Sequence, residues 1–383
     1  MGGQQMKKEV LGVGVIGCGA FCGAYISSLG PVFKNCKVIA CSDIDMDRAR
    51  EVAEQWSITA CTTDELLSNP DVDIAVIVTG PASHYPLTMQ ALNAGKHVYC
   101  EKPMAITVEQ TSDIIALAEE KGLYVTEAPD TILDSAMQTA RKALDDGLIG
   151  RPLSVTMNFI GPGPDWWHPH PDFFYKTGGG PAMDMGPYYL SAAVSILGPI
   201  EQLFAYASRG FDTRQFPDHD CSVEVDTDYT AVLRFRNGVI GNINLSFDSV
   251  RSYSPGFEIQ GTEGVLFIPD PNTLKGEVKY LNRDKLRKEV QKRETFKGVS
   301  WMYSPAALEL AEVLPRVVPP CPAHRGMGPA DMAECIISGG AKPRCSMYIA
   351  RHITEVLLAL DKSVKTGLPC NLQTTCDRPD PVY

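Results

Sequence analysis

The residues best equipped for chemistry lie in Gly95-Lys96-His97-Val98-Tyr99-Cys100-Glu101-Lys102-Pro103, where a short apolar run delivers an ammonium group to its end and stops. Pro103 cannot extend a central ladder, and it pushes Lys102 into an extended backbone. In an open parallel sheet the crevice beyond the strand C-termini is where nucleotide and substrate meet, so a lysine there faces chemistry. Elsewhere a strand-end lysine is simply solvated, and the upstream sequence has to decide between the two.

Upstream, strand, glycine turn and helix follow in the required order: an apolar run from Val10 to Ile16, then Gly17-Cys18-Gly19-Ala20-Phe21-Cys22-Gly23, then a helical pattern through Leu29. Gly17 permits a tight turn and Gly19 lets the backbone approach a pyrophosphate, whose charge the amides at a helix N-terminus stabilise. Cys22 replaces the third glycine of the full fingerprint; a small thiol with Gly23 beside it still allows close helix-to-strand packing. A second strand, Lys37 to Asp43, ends on the carboxylate that should accept the adenosine ribose hydroxyls. Asp43 and Asp45 are both candidates to cap the helix from about Met46 to Gln55, with Asp45 favoured. The run Asp73 to Val78 is continuously apolar, as befits a sheet covered on both faces, and exits into Thr79-Gly80-Pro81-Ala82-Ser83-His84. A helix to Ala94, the lysine strand, a helix from Val108 to Lys121 and a strand from Leu123 to Glu127 complete an alternation that predicts a doubly wound α/β domain.

These features together resemble the Gfo/Idh/MocA family of nicotinamide-dependent oxidoreductases. The resemblance rests on the glycine loop, on Thr79 to His84, on Glu101-Lys102-Pro103 with its Gly-Lys-His approach, and on Gly178-Gly179-Gly180-Pro181-Ala182-Met183-Asp184-Met185-Gly186-Pro187-Tyr188, and it covers nearly the whole chain. One departure stands out: many members have a histidine where this chain has Tyr188. The resemblance implies a Rossmann domain with a doubly wound parallel sheet over residues 7–128. An α+β domain with a largely antiparallel open sheet follows over 129–383, for substrate binding and oligomerisation. The loops and the resemblance together mark Gly17, Gly19, Ala20, Phe21, Asp43, Ile44, Arg48, Thr79, Gly80, Pro81, His84, Glu101 and Lys102 as cofactor-binding. NAD is expected in preference to NADP, because Asp43 would face the extra phosphate and no arginine immediately follows it, although Arg48 is long enough to swing back.

Composition agrees. The 383 residues suffice for two cores, and 44% hydrophobic residues fit a globular protein. A balance of 35 basic to 46 acidic residues, net −11, disfavours nucleic acid or an anionic membrane as partner. No apolar run approaches a membrane span and the polar N-terminus lacks a signal-peptide core, which reads as a cytoplasmic protein. The twelve cysteines include no Cys-x-x-Cys pair, and several, such as Cys41 and Cys100, fall in interior strands as small reduced hydrophobes. Met1 to Met6 resemble part of an epitope tag and are set aside.

The alternation ends near Ala128-Pro129-Asp130. An amphipathic helix is expected over Ile132 to Asp146, stopped by Gly147, and a strand from Leu153 to Ile160. Tyr229, Ala231, Leu233 and Phe235 alternate with polar residues, Asn237-Gly238 turns, and Val239, Gly241, Ile243, Leu245 and Phe247 alternate back, a hairpin with one buried face. Further strands fall at Phe257 to Gln260 and Val265 to Ile268. The charged run from Asn282 to Lys297 reads as a solvated strand or loop edge, and Ile349 to Leu360 as a late helix.

The segment Asp165 to Tyr175 holds Trp166, Trp167, His168, His170 and Asp172 between prolines, a mixture of flat apolar faces and directional polar groups suited to a polyhydroxylated ligand. An alternative is that the aromatics plug the interdomain junction. Zinc at His168 and His170 is disfavoured, since no further ligand stands at suitable spacing, and no metal is expected. Asp184 and Tyr188 are four apart and share a helical face. That requires the helix to begin at Pro181 with Pro187 interior; if Pro187 is instead N1, Asp184 precedes the helix. Tyr189 competes for the register, and Tyr188 is preferred because it matches the family's acid/base position.

The substrate set is therefore Lys102, Asp130, Trp167, His168, His170, Asp184 and Tyr188, the catalytic set Lys102, Asp184 and Tyr188, and the substrate a small carbohydrate-like molecule. Tyr188 would carry the alcohol proton, Lys102 would hold the substrate oxygen and lower the tyrosine pKa, and Asp184 would orient the site. A homo-oligomer, dimer or tetramer, is expected. Rival readings are an NAD-dependent glycoside hydrolase working by transient oxidation and a nucleotide-binding sensor without turnover.

Overall fold

The computed structural model describes residues 8–216, 219–252, 256–323 and 325–383; the tag-like Met1 to Met6 and residue 7 of the first expected domain lie outside them. The described chain forms two compact units: one comprises the chain up to Leu133 together with Cys321–Glu355, the other Asp134–Pro320 with Val356–Tyr383. The return of Cys321–Glu355 to the first unit departs from a linear division at Ala128. It is a non-local packing event that local pattern does not encode.

In the first unit six described strands, β1 (Leu11–Ile16), β2 (Cys36–Ser42), β3 (Thr59–Ala60), β4 (Ile74–Ile77), β5 (His97–Cys100) and β6 (Val125–Glu127), form a parallel sheet in the order β3-β2-β1-β4-β5-β6. Crossovers are made by α1 (Cys22–Ile26), α2 (Met46–Trp56), α3 (Thr63–Ser68), α4 (Pro81–Asn93) and α5 (Val108–Lys121). The strands are fully buried at Ile74, Ala75, Val76, Ile77, Val98, Tyr99 and Cys100, which is why they read as unbroken apolar runs. Cys18, Cys22 and Cys41 belong to the core on one side of this sheet, and all the cysteines are free thiols. Met332 and Ala333 of the returning segment complete that core.

Local signals explain several boundaries. Asp45 caps α2, accepting the amides of Asp47 and Arg48 at 3.1 and 3.3 Å. Thr107 caps α5 and Gly122, at φ 65°, ends it. The glycine-loop helix α1 is shorter than its sequence pattern, ending at Ile26 before Gly30 turns the chain at φ 112°.

In the second unit α6 (Ser135–Asp145) starts later than the expected Ile132, because Asp134 is its cap and Asp130–Leu133 forms a tighter turn. Strands β7 (Pro152–Ile160), β8 (Ile200–Ser208), β11 (Asp228–Phe235), β12 (Ile240–Ser246), β13 (Phe257–Gly261), β14 (Gly264–Ile268), β15 (Lys279–Asn282), β16 (Glu312–Val313) and β17 (Cys370–Asn371) make a sheet antiparallel throughout except where β7 pairs parallel with β12. A separate two-stranded ribbon joins β9 (Thr213–Gln215) to β10 (Asp220–Ser222). The expected hairpin is β11 and β12, with Gly238 at φ 86° in the turn and the alternate residues Tyr229 to Phe235 buried. One face of the sheet is covered by α7 (Gly180–Leu197).

The charged run departs from its reading as strand or loop: it folds as α8 (Arg283–Gln291) and the start of α9 (Thr295–Met302). Asn282 caps α8 by accepting the Lys285 amide at 3.0 Å, and Lys292 pairs with Glu289 at 2.5 Å and Lys297 with Glu294 at 3.0 Å. Solvated ion pairs one turn apart help sustain such charged helical turns. The chain continues through α10 (Pro305–Leu308) and α11 (Met327–Ser338), and α12 (Met347–Thr366) extends the expected late helix at both ends. No helix among the described residues is long and apolar enough to cross a membrane.

Candidate active site

The glycine loop is built around a position only glycine can hold. Gly17 has φ 104°, and a Cβ there would lie 2.6 Å from the Val78 carbonyl oxygen. Gly19 by contrast faces open space, with nothing within 4 Å of where its Cβ would be, and Ala20 and Phe21 beside it are exposed. Asp43 braces this loop, one carboxylate oxygen accepting the Cys18 amide at 2.7 Å and the other the Asp45 amide at 2.9 Å. The Arg48 guanidinium lies between Asp43 at 3.9 Å and Asp45 at 3.5 Å. Ile44, fully exposed next to Asp43, offers a flat apolar shelf. An open cradle of bare backbone with a carboxylate at the next strand end is an arrangement that fits a dinucleotide.

Beyond β4, half-buried Thr79 and exposed Gly80 and Pro81 form the entry to α4, with Gly80 at its cap and Pro81 in its first turn. His84, expected to touch cofactor, has both ring nitrogens engaged within the protein. It is buried, with Nδ1 at 2.7 Å from the Pro103 carbonyl and Nε2 at 2.9 Å from the Thr79 carbonyl, so it ties the Thr79 turn to the loop carrying Lys102. Glu101 is likewise engaged within the protein, accepting the Tyr25 hydroxyl at 2.6 Å and the Lys102 amide at 3.2 Å. Asp130, expected at the substrate, is fully buried and accepts the amides of Gly326 and Gly328 at 2.9 and 3.1 Å within the first unit.

The approach to Lys102 separates two lysines. Lys96 gives its ammonium to the carbonyls of Asn69 and Val72, each at 2.8 Å, while burial pushes the His97 imidazole down to about 4 and leaves it neutral to accept the Tyr124 amide. Lys102 stands past the end of β5, half-buried, two strands along from β1. Glu127, at the end of neighbouring β6, was not anticipated. It is almost wholly buried, accepts the Met104 amide at 2.5 Å, and burial raises its carboxyl to about 8. Its only sequence signal is a carboxylate closing an otherwise buried strand.

In the second unit α7 begins at Gly180, with Pro181 in its first turn and Pro187 interior, so Asp184 and Tyr188 share a helical face. Tyr189 points into the core: it is 1% exposed and its hydroxyl pairs with Asp270, burial chiefly raising both groups. In the aromatic segment Trp166, Trp167 and Phe173 are exposed, as is His170. His168 sits edge-on to Trp167, Phe173 and Phe174 at 5.3 to 5.5 Å, and its Nδ1 accepts the His170 amide at 3.0 Å.

A switch-point glycine loop, a strand-end carboxylate and a strand-end lysine, followed by a largely antiparallel second unit, are the arrangement of a dinucleotide-dependent oxidoreductase. The family model described as an oxidoreductase family with NAD-binding Rossmann fold matches residues 11–128, and the GFO/IDH/MocA C-terminal domain matches 137–267. The chain belongs to the Gfo/Idh/MocA oxidoreductases and binds NAD through its first unit. It is 26% identical over 259 residues to myo-inositol 2-dehydrogenase of Thermotoga maritima, covering 67% of this chain and 74% of that one. It is 29% identical over 239 residues to trans-1,2-dihydrobenzene-1,2-diol dehydrogenase of Bos taurus, covering 61% and 67%. The crystal structure of the WlbA dehydrogenase from Bordetella pertussis, in complex with NADH and UDP-GlcNAcA, shares the fold at TM-score 0.74 and 18% identity over 96% of this chain and 99% of that one.

Two predictions follow from this geometry. NADP should bind at least about tenfold more weakly than NAD, since like charges brought together cost affinity, and Asp43→Asn should narrow the gap; titration of both nucleotides checks this, and tighter NADP binding contradicts it. The second concerns Glu127. A carboxyl whose folded pKa is raised keeps a proton that the unfolded chain has released, so its stabilising contribution is complete below the ordinary 4.5 and is lost as pH rises through about 8. Thermal melts should therefore fall more steeply for the wild type than for Glu127→Gln between pH of about 5 and about 9. Parallel curves would contradict the assignment.

Proposed function

We propose that this protein is a nicotinamide-dependent dehydrogenase or reductase of a sugar, polyol or related hydroxyl-bearing substrate. The observation that carries the reading is Lys102 beyond β5, on the same sheet edge as the open glycine cradle, in a chain similar to dehydrogenases named for myo-inositol and a dihydrodiol. NAD, when bound, supplies hydride exchange at C4 of its nicotinamide ring.

The chain's own residues manage the oxygen and the proton. Lys102 holds the substrate oxygen and stabilises negative charge as it develops there. Tyr188 moves the alcohol proton, as base in oxidation and acid in reduction. Asp184, one turn earlier on α7, orients it. Trp167, His168 and His170 contact the substrate, the indole stacking on a sugar face and the imidazoles bonding hydroxyls. Phe204, Tyr206 and Val232 lie on the uncovered side of the large sheet, which is the surface where two or more copies would assemble.

The reading is tested by incubating the protein with NAD and a panel headed by myo-inositol while following nicotinamide absorbance. Turnover is expected; glycoside cleavage without net absorbance change, or nucleotide binding with no turnover across the panel, contradicts it. In the active protein, Tyr188→Phe should lower turnover about 100- to 10,000-fold with NAD affinity near normal. Tyr189→Phe should lower stability and leave the rate nearly unchanged. The reverse pattern would assign the proton to the wrong tyrosine.

A further inference from the structure

Beneath the aromatic segment lies an ionic cluster that the proposed chemistry does not use. Arg214, on β9, has a side chain only 8% exposed, yet it pairs with Asp248 and with Asp165, the latter at 3.7 Å. Its guanidinium also donates to the Phe247 carbonyl at 3.0 Å and the Pro162 carbonyl at 3.4 Å, and lies 5.0 Å from the centre of the Tyr175 ring and 4.8 Å from that of Phe211. The Tyr175 hydroxyl donates to Asp165. Asp248 is held in turn by the Thr227 hydroxyl at 2.6 Å and the Gly210 amide at 2.8 Å. One arginine thus grips the segment at Pro162, Asp165 and Tyr175 from below. At the rim, Lys176 adds a bond to the Ser222 hydroxyl at 2.8 Å and an ion pair to Glu224 at 2.9 Å.

Above the cluster, Trp166 and Trp167 are 68% and 70% exposed and Phe173 is 57% exposed. Such rings usually bury themselves unless something prevents it. Here the prolines and the grip from below prevent collapse and hold the rings outward. Burying an arginine with two carboxylates is costly in desolvation, so the cluster is poorly explained as a source of stability alone. It is well explained as a fixture, because the planar guanidinium satisfies several partners in one geometry that a lysine cannot reproduce.

We infer that Arg214 is the positioning residue of the substrate-recognition segment 162–175, setting substrate affinity through Trp167 and His168 without touching the reacting atoms. This rests on the reading of that segment as substrate-binding. The experiment compares wild type, Arg214→Met and Arg214→Lys by amide hydrogen exchange over residues 164–176 and by steady-state kinetics with NAD and myo-inositol or the most active polyol of the panel. Exchange in that segment should quicken about tenfold or more in Arg214→Met, with exchange in β1 to β6 unchanged. KM should rise about tenfold or more while kcat stays within about threefold and NAD affinity is unaltered. Arg214→Lys should recover part of both effects.

Unchanged exchange overturns the inference, as does a fall in kcat at constant KM. Faster exchange with unaltered KM overturns the role in recognition while leaving the dehydrogenase reading intact. If Arg214→Met fails to fold, Tyr175→Phe, which removes only the hydroxyl bond to Asp165, should show the same changes at smaller size. Should the wild type oxidise no polyol, it is the proposed function that fails, and hydrogen exchange still decides whether Arg214 holds the segment.

Discussion

At Gly17 the first strand must leave the sheet with φ at 104° while the Val78 carbonyl occupies the space where any side chain would begin. Everything chemical in the first unit depends on that packed turn. Because β1 pairs with β2 on one side and β4 on the other, bending the chain there directs the glycine loop, Asp43 and Thr79 to one edge of the sheet. The Gly17 amide bonds the Ser42 carbonyl at 2.8 Å and the Cys18 amide bonds Asp43, so loop and second strand are fixed together. A side chain at position 17 would disturb nucleotide binding and the sheet at once.

Around this edge the protein divides its charged groups between structure and chemistry. Lys96, His84, Glu101 and Asp130 each satisfy backbone or hydroxyl groups within the first unit. His84 joins two loops that follow adjacent strands, so the Thr79 turn and the Lys102 loop cannot shift independently. Such internal ties give these loops the rigidity that a hydride-transfer site needs, where small misplacements are costly in rate. Glu127 goes further, holding a proton in the interior where ionisation would be unfavourable.

Much of this was legible in the chain because local chemistry and global fold agree. The bounds of α5 follow from Thr107 and Gly122, the hairpin from Asn237-Gly238, and the parallel sheet from its apolar runs. Tyr189 is committed to a buried carboxyl, at Asp270. The parts that escaped are non-local. No periodicity says that β7 runs parallel to β12, that Cys321–Glu355 returns to the first unit, or that an arginine in the polar ribbon Thr213-Arg214-Gln215 is buried against Asp165 and Asp248. The helix α8 escaped because a charged run with few apolar residues carries almost no helical signal. The internal partners of His84 and Asp130 escaped for a simple reason: a polar residue in a loop looks the same in sequence whether it faces solvent, a ligand or a backbone group.

In the proposed reaction the sheet edge delivers Lys102 to the reacting oxygen while the glycine loop holds the nucleotide separately. Single-turnover hydride transfer and NAD affinity, measured side by side for wild type and Lys102→Ala, test it most directly. The rate should fall at least about a hundredfold with NAD bound almost as tightly as before. Near-normal hydride transfer in a folded Lys102→Ala protein would contradict it.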